Sequence, residues 1–159
     1  MCAGGRVGKG IYLASEQSKS AGYVRPGKQG GRTVGVMFLV QAALGKQHTI
    51  EKDDWQLQAP PKGVSYAHCV RAHALPCTLA SLTQAVLCAG YDSILAKGRT
   101  EPEPGKETSL KIGGTNVAVP QGTVQAQADA KDSYFFQSEY LVYKEAQQRL
   151  RYVITFDYA

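Results

Sequence analysis

Residues 34–44 form the run Val-Gly-Val-Met-Phe-Leu-Val-Gln-Ala-Ala-Leu, in which apolar side chains fall on both alternating faces. A strand with one face in water alternates apolar and polar residues, whereas a strand covered on both faces is apolar throughout. The run therefore predicts a central, buried strand. Such a strand needs neighbours, and the sequence on either side of it supplies candidates.

Further strand signals lie in the last third of the chain. Thr108 to Ile112 and Val117 to Val119 flank Gly113-Gly114, a dipeptide that favours a two-residue hairpin turn. Over residues 150–158 large apolar side chains occupy every second position, which predicts a half-buried strand. These patterns indicate a sheet built mainly from antiparallel strands.

The N-terminal region is rich in turn signals. Nine of the seventeen glycines fall within residues 1–35. Ser15 is expected to cap a short helix that ends near Gly22, with Glu16 in its first turn. The predicted fold class is α+β, with mainly antiparallel sheets and short helices.

Composition limits the classes of function. The chain has 159 residues, of which 43% are hydrophobic and 19% charged, as expected for one globular domain. Its net charge of +5 comes from scattered Lys and Arg, so the basic stripe of a nucleic-acid-binding protein is missing. Because no apolar run approaches the roughly 20 residues of a membrane helix, we expect no membrane association. The four cysteines are too sparse for a disulfide scaffold and are expected to be reduced.

Residues 63–90 differ from the rest, since Arg71 is their only formally charged residue. This stretch holds three of the four cysteines and two of the three histidines: His68, Cys69, His73, Cys77 and Cys88. Imidazole and thiolate are zinc ligands, but the spacing lacks the Cys-x-x-Cys or His-x-x-x-His pairs of usual zinc sites. We expect no metal site here.

A carboxylate stands out near the C-terminus. Glu139 in Ser138-Glu139-Tyr140-Leu141-Val142-Tyr143 shares a strand face with Leu141 and Tyr143. A carboxylate among apolar neighbours is costly unless it has partners, and functional sites often carry such costs. At the other end, Gly8-Lys9 resembles part of a phosphate-binding P-loop. That motif is rejected because Ala3 and Gly10 occupy its required Gly and Ser/Thr positions.

Several short motifs in order resemble the catalytic domain of the poly(ADP-ribose) polymerase family. They are Gly8-Lys9-Gly10-Ile11-Tyr12, Ser18-Lys19-Ser20-Ala21-Gly22-Tyr23, Thr100-Glu101-Pro102-Glu103-Pro104, Val119-Pro120-Gln121-Gly122, the Glu139 segment and Arg149-Leu150-Arg151-Tyr152. The likeness is greatest to a DNA-damage-responsive, mono-ADP-ribosylating member. It departs at Val40-Gln41, where the family usually has Gly-Glu, and this change is expected to affect a local contact rather than catalysis.

The resemblance implies roles for individual residues. Glu139 and Tyr12 match two members of the family's His-Tyr-Glu triad and are the expected catalytic residues. Ser20 matches the serine that hydrogen-bonds the nicotinamide amide, and Tyr23 matches the tyrosine that stacks on its ring. Tyr12 and Lys19 complete the expected binding set, Lys19 as a modulator beside Glu139. Taken singly, each residue also has an ordinary structural role as a core aromatic, paired carboxylate or helix-surface hydroxyl.

The resemblance also predicts that residues 1–159 form only part of a catalytic domain. The family's His lies upstream of the Gly-Lys-Gly-Ile-Tyr motif, and His48, His68 and His73 are all downstream of it. We therefore expect an N-terminally truncated ADP-ribosyltransferase fold, with core surface exposed near residues 34–44. Nothing in residues 64–89 matches the family, so this stretch is predicted to be an insertion, and our hypothesis for its origin is a retained intron.

The function implied by the resemblance is NAD+-dependent transfer of ADP-ribose to protein side chains, with release of nicotinamide. NAD+ is then a substrate, acceptor proteins are partners, and DNA acts only through regions outside this chain. A nuclear location and a link to DNA repair follow from the resemblance as well. Two alternatives remain open: a catalytically inactive NAD or ADP-ribose-binding fragment, and a truncated product without function.

Overall fold

The computed structural model describes residues 4–62 and 90–158. These residues form short strands with one α-helix, α1 (Gln17–Ala21), and two single-turn 3-10 helices at Ala128–Ala130 and Glu145–Gln147. The strands are β1 (Gly4–Gly5), β2 (Gly8–Lys9), β3 (Ile11–Leu13), β4 (Gly27–Gln29), β5 (Arg32–Ala42), β6 (Gln47–Ile50), β7 (Ser93–Ala96), β8 (Gly98–Pro102), β9 (Glu107–Ile112), β10 (Thr115–Pro120), β11 (Val124–Ala126), β12 (Phe135–Gln137), β13 (Glu139–Val142) and β14 (Gln148–Asp157). Across the described ranges, no helix has the length and apolar character needed to cross a bilayer.

The strands pair mainly in antiparallel fashion, which confirms the predicted fold class. A four-stranded sheet has the order β3-β13-β7-β6, and two three-stranded sheets have the orders β11-β8-β12 and β14-β5-β4. β1 with β2 and β9 with β10 form two-stranded ribbons. The pairs β6 with β7 and β8 with β12 are parallel.

The hydrophobic core lies on one face of the four-stranded sheet. In the register of this sheet Leu141 lies opposite Tyr12 on one side and opposite Ile94 on the other. Leu141 and Ile94 are fully buried and pack with Val7, Ala96 and Phe135. Because side chains on a strand alternate between faces, Glu139 lies on the same face as Leu141. The fold therefore places a carboxylate at the edge of the core.

The hairpin predicted at Gly113-Gly114 is confirmed. β9 and β10 pair from Glu107 to Pro120 around this dipeptide. Both glycines have positive φ angles, 57° and 82°, as a two-residue turn that matches the strand twist requires.

The prediction of a buried strand at residues 34–44 is only half correct. The strand covers Arg32–Ala42 and is central, because β14 pairs with most of its length and β4 with its beginning. It is not buried, since Val36 is 46% and Phe38 62% exposed. The core lies on the four-stranded sheet. No layer of described residues covers the face of β5 that carries Val36 and Phe38.

The predicted half-buried strand at residues 150–158 is also corrected. β14 forms, but Leu150, Tyr152, Val153 and Ile154 are all exposed. Tyr152, Val153 and Ile154 are consecutive, so both faces of this part of β14 lie in solvent and neither is covered by described residues. The pairing with β5 also shifts between Leu150 and Tyr152, which marks a bulge. The Arg151 side chain at the bulge donates through Nε to Oε1 of Gln41 at 2.8 Å. Gln41 is one of the two residues that depart from the family pattern, and this hydrogen bond is its local contact.

Ser15 is not the cap of α1. The capping position belongs to Glu16, whose side chain makes no capping hydrogen bond, and the helix starts at Gln17. The Glu16 side chain makes no capping bond because its carboxylate accepts hydrogen bonds from side chains on β8 and β12 instead, as described below.

Residues 63–89 lie outside the described part of the chain, and with them the histidines and cysteines considered for zinc. The backbones that flank this stretch meet, since the Tyr91 N–H donates to the carbonyl oxygen of Pro61 at 3.2 Å. When the two ends of a connecting segment are adjacent, the segment can be shortened without moving the elements that it joins.

We therefore expect a variant without residues 64–89 to keep the described fold. The shorter loop costs less closure entropy, so the free energy of unfolding should rise by about 2 kcal/mol. Urea denaturation measures the change, and a Gly/Ser linker of the original length in place of 64–89 is the matched control. Loss of the cooperative transition in the deletion variant alone would contradict the interpretation of 64–89 as an insertion.

Candidate active site

The five predicted site residues come from three places in the chain and line one cavity. Tyr12 lies on β3, Lys19 and Ser20 on α1, Tyr23 just beyond α1, and Glu139 at the start of β13. The cavity has a volume of about 420 Å³. Its lining comprises Gly5, Arg6, Tyr12, Leu13, Ala14, Lys19, Ser20, Tyr23 and Glu139.

Strand register brings Tyr12 close to Glu139. β3 and β13 are antiparallel neighbours, and Tyr12 lies directly opposite Leu141. Residues two apart on a strand share a face, so Glu139 is diagonal to Tyr12 on the same side of the sheet. A phenol ring and a carboxylate therefore meet at the cavity wall.

The hydroxyl of Tyr12 is held by the backbone of the glycine-rich motif. It donates to the carbonyl oxygen of Gly8 at 2.7 Å and accepts from the N–H of Val7 at 3.2 Å. Burial, with smaller contributions from the charges of Glu139 and Tyr23, raises the pKa of the Tyr12 phenol above its usual value. The phenol is neutral at physiological pH, and its ring is the part presented to the cavity.

Glu139 has the partner that a buried carboxylate needs. It is 7% exposed, and its Oε1 lies 2.7 Å from Nζ of Lys19. The same Nζ donates to the carbonyl oxygen of Gln137 at 3.3 Å. Because both side chains are largely buried, salt screens this pair less than it would screen a surface ion pair. Lys19 thus fixes one carboxylate oxygen at the cavity edge.

The other two predicted residues line the cavity less deeply. Ser20 is half-buried on α1, whereas Tyr23 is 79% exposed. A ring so accessible to solvent is available to cover a flat ligand that enters the cavity.

Sequence reasoning missed Arg6, which also lines the cavity. Its guanidinium is held by Asp53 at 2.7 Å, by the carbonyl oxygen of Tyr134 at 2.9 Å and over the ring of Phe135 at 4.7 Å from the centroid. All these partners are distant in sequence. No local signal distinguishes Arg6 from the other scattered basic residues.

The described part of the cavity wall contains no histidine. His48 lies on β6, and its ring is 4.8 Å from that of Tyr91. The lining has acidic, basic, hydroxyl and aromatic groups, which can hold a flat amide-bearing ring and a polar sugar. Within residues 4–62 and 90–158, no group of three or more His, Cys, Asp or Glu residues could hold a metal ion.

Comparison of the amino-acid sequence with known proteins identifies relatives of this chain. The family profile described as "Poly(ADP-ribose) polymerase catalytic domain" matches residues 1–78 and 78–158. The chain is similar to "Protein mono-ADP-ribosyltransferase PARP3" of Mus musculus (45% identity) and Homo sapiens (43%), over 96% of this chain and 24% of each relative. It is 29% identical to "Poly [ADP-ribose] polymerase 1" of Xenopus laevis over 92% of this chain and 11% of that protein. The chain thus spans about a quarter of the length of its PARP3 relatives.

Proposed function

The chain belongs to the poly(ADP-ribose) polymerase catalytic-domain family, and on that premise we propose that it transfers ADP-ribose from NAD+ to protein side chains. The bond between the nicotinamide nitrogen and C1′ of the ribose breaks, and nicotinamide leaves. A bond forms between C1′ and a nucleophilic atom of the acceptor side chain, which loses its proton. The reaction involves no oxidation or reduction.

The observation that carries the proposal is the meeting of the Glu139–Lys19 pair with Tyr12, Ser20 and Tyr23 around one cavity. Cleavage of the glycosidic bond develops positive charge on the ribose, which a fixed carboxylate stabilises. We assign this role to Glu139. The nicotinamide amide also needs a hydrogen-bond partner. We assign that role to the Ser20 hydroxyl.

The aromatic residues have a complementary proposed role. The ring of Tyr12, whose hydroxyl is bonded to Gly8, forms one wall for the nicotinamide, and the exposed ring of Tyr23 covers it. Stacking of this kind contributes about 0.5–1.5 kcal/mol for each aromatic pair beyond burial of area. Lys19 acts by orienting Glu139 rather than by contacting nicotinamide.

We further propose that the product is a single ADP-ribose unit, because the relatives named as mono-ADP-ribosyltransferases are the more similar ones. The proposed setting is the nucleus and DNA repair, with DNA acting through regions outside this chain. This extension is supported by the resemblance alone.

The test is incubation of the chain with NAD+ labelled in its adenylate part and with acceptor proteins. Label should appear on protein while free nicotinamide accumulates in equal amount, and electrophoresis should show a discrete band rather than a ladder. Heat-denatured chain is the control for non-enzymatic attachment. Release of nicotinamide without protein labelling would contradict transfer.

A second candidate is a module that binds NAD+ or ADP-ribose without turnover. It is favoured by one observation, that the described cavity wall lacks the histidine of the family's triad. Calorimetry distinguishes the two candidates. Nicotinamide binding without label transfer supports the binding module, whereas absence of both binding and transfer at millimolar ligand removes both.

A further inference from the structure

Glu16 is a second buried carboxylate, and the proposed reaction does not use it. It is 5% exposed, and its two oxygens accept from neutral groups: Oε1 from the Thr100 hydroxyl at 2.8 Å and Oε2 from the Gln137 side-chain amide at 2.6 Å. A buried carboxylate is costly, so two short hydrogen bonds that satisfy it in this way mark a defined structural role.

Both donors are positioned by the same strand pair. Thr100 on β8 and Gln137 on β12 are directly paired in the parallel ladder, so their spacing is set by backbone hydrogen bonds. The Gln137 amide also donates to the Ser18 hydroxyl at 2.8 Å. The strand pair therefore holds the start of α1 at two points.

α1 needs such an anchor. It has five residues, no side-chain capping bond and no buried residue of its own. A helix this short is unstable in isolation and depends on tertiary contacts for its position. Lys19 contacts β13 through Glu139, and the remaining side-chain contacts of the first turn and the capping residue connect α1 to Thr100 and Gln137 on β8 and β12.

The anchor leads to the proposed catalytic carboxylate. Gln137 accepts from Nζ of Lys19 through its backbone oxygen and precedes Glu139 by two residues. The side chain of Gln137 thus holds the helix that carries Lys19 and Ser20, while its backbone leads directly into Glu139. One residue links both sides of the site.

We propose that Glu16 is a positioning residue, which acts through Gln137 to hold α1 at the distance that lets Lys19 orient Glu139. The inference rests on the proposed function for its catalytic consequence. The anchoring itself is a statement about α1 and can be tested without turnover.

The first test is hydrogen exchange of the complete 159-residue chain. Glu16→Gln keeps the size of the side chain but removes its charge and one of its two acceptor oxygens, so residue 16 can no longer accept from both Thr100 and Gln137 in the present geometry. The amides of Gly22, Tyr23 and Val24, which bond back to α1, should exchange at least about tenfold faster, while those of β13 should be unchanged. Glu145→Gln, at an exposed carboxylate, is the matched control. Unchanged exchange at the end of α1 would overturn the proposal.

The second test is rescue by exchanging donor and acceptor. In the double variant Glu16→Gln/Gln137→Glu, the residue 16 amide can donate to the new carboxylate, and Thr100 can still donate to residue 16. Exchange rates near α1 should return to within about threefold of the original. Equal disruption in the single and double variants would overturn the hydrogen-bond explanation.

The catalytic consequence is measured by NAD+ turnover at a temperature where circular dichroism shows every variant fully folded. Glu16→Gln should lower kcat about tenfold, and the double variant should restore it, since misplacement of catalytic groups slows the chemical step. Thr100→Val should lower kcat as Glu16→Gln does, whereas Thr100→Ser keeps the hydroxyl donor and should leave kcat unchanged.

If α1 loosens but kcat is unchanged, the positioning role is wrong while the proposed function stands. If the original chain shows no turnover, the proposed function fails and hydrogen exchange alone decides the anchoring.

Discussion

Glu139→Gln should lower the rate of ADP-ribosyl transfer by about 10²–10³-fold. The amide has the shape of the carboxylate but no charge, so it cannot stabilise the positive charge that develops on the ribose. Nicotinamide affinity should change by less than about threefold, because Tyr12, Ser20 and Tyr23 remain around the cavity. Single-turnover measurements with labelled NAD+ give the rate, and calorimetry gives the affinity. Full transfer activity in the Glu139→Gln variant would refute the role of this carboxylate.

A loss of activity must be separated from a loss of fold, since Glu139 is also the partner of Lys19. Leaving one member of a buried ion pair without the other can cost about 3–5 kcal/mol. The double variant Lys19→Met/Glu139→Gln removes both charges and should regain most of the lost stability while remaining inactive. Glu145→Gln, at an exposed carboxylate, should retain both activity and stability. If the double variant regains activity together with stability, Glu139 has a structural rather than a catalytic role.

Local signals predicted the elements whose structure is decided locally. The Gly113-Gly114 hairpin follows from the freedom of glycine at positive φ, and the face that Glu139 shares with Leu141 follows from the two-residue period of a strand. Patterns that report burial were less informative. The apolar run of β5 predicts cover on both faces, yet Phe38 is 62% exposed, because cover depends on which other elements pack against the strand.

The site shows the same division. Motifs shared with the family pointed to Tyr12, Lys19, Ser20, Tyr23 and Glu139, and these side chains do line one cavity. The anchor of α1 could not be predicted. The sequence pattern predicts Glu16 as an acidic residue in the first turn of a helix. Its carboxylate instead accepts hydrogen bonds from residues that are 84 and 121 positions away. No periodicity or spacing encodes contacts of that kind.

Gly8→Ala should be the most destabilising small substitution in the glycine-rich motif. Gly8 has φ +78°, and a Cβ atom there would lie 1.9 Å from the carbonyl oxygen of Leu57. That oxygen cannot move freely, because it accepts from the N–H of Lys9 at 3.0 Å. The left-handed backbone alone costs Ala roughly 1–2 kcal/mol, and relief of the clash brings the expected loss to about 3–5 kcal/mol.

The effect of Gly8→Ala should reach the site through Tyr12, whose hydroxyl donates to the Gly8 carbonyl oxygen. Urea denaturation should show the loss of stability, and calorimetry of the remaining folded protein should show weaker nicotinamide binding.

Gly22→Ala is the matched control, because Gly22 is right-handed at φ −62° and a Cβ there would only touch the Lys19 carbonyl oxygen at 3.4 Å. Its stability should stay within about 0.5 kcal/mol of the original. Tyr12→Phe separates the two effects, since it removes the bond to Gly8 but keeps the ring, and it should cost about 1 kcal/mol with binding retained. Equal stability of the Gly8→Ala and Gly22→Ala variants would show that the close approach of Gly8 to Leu57 does not constrain the motif.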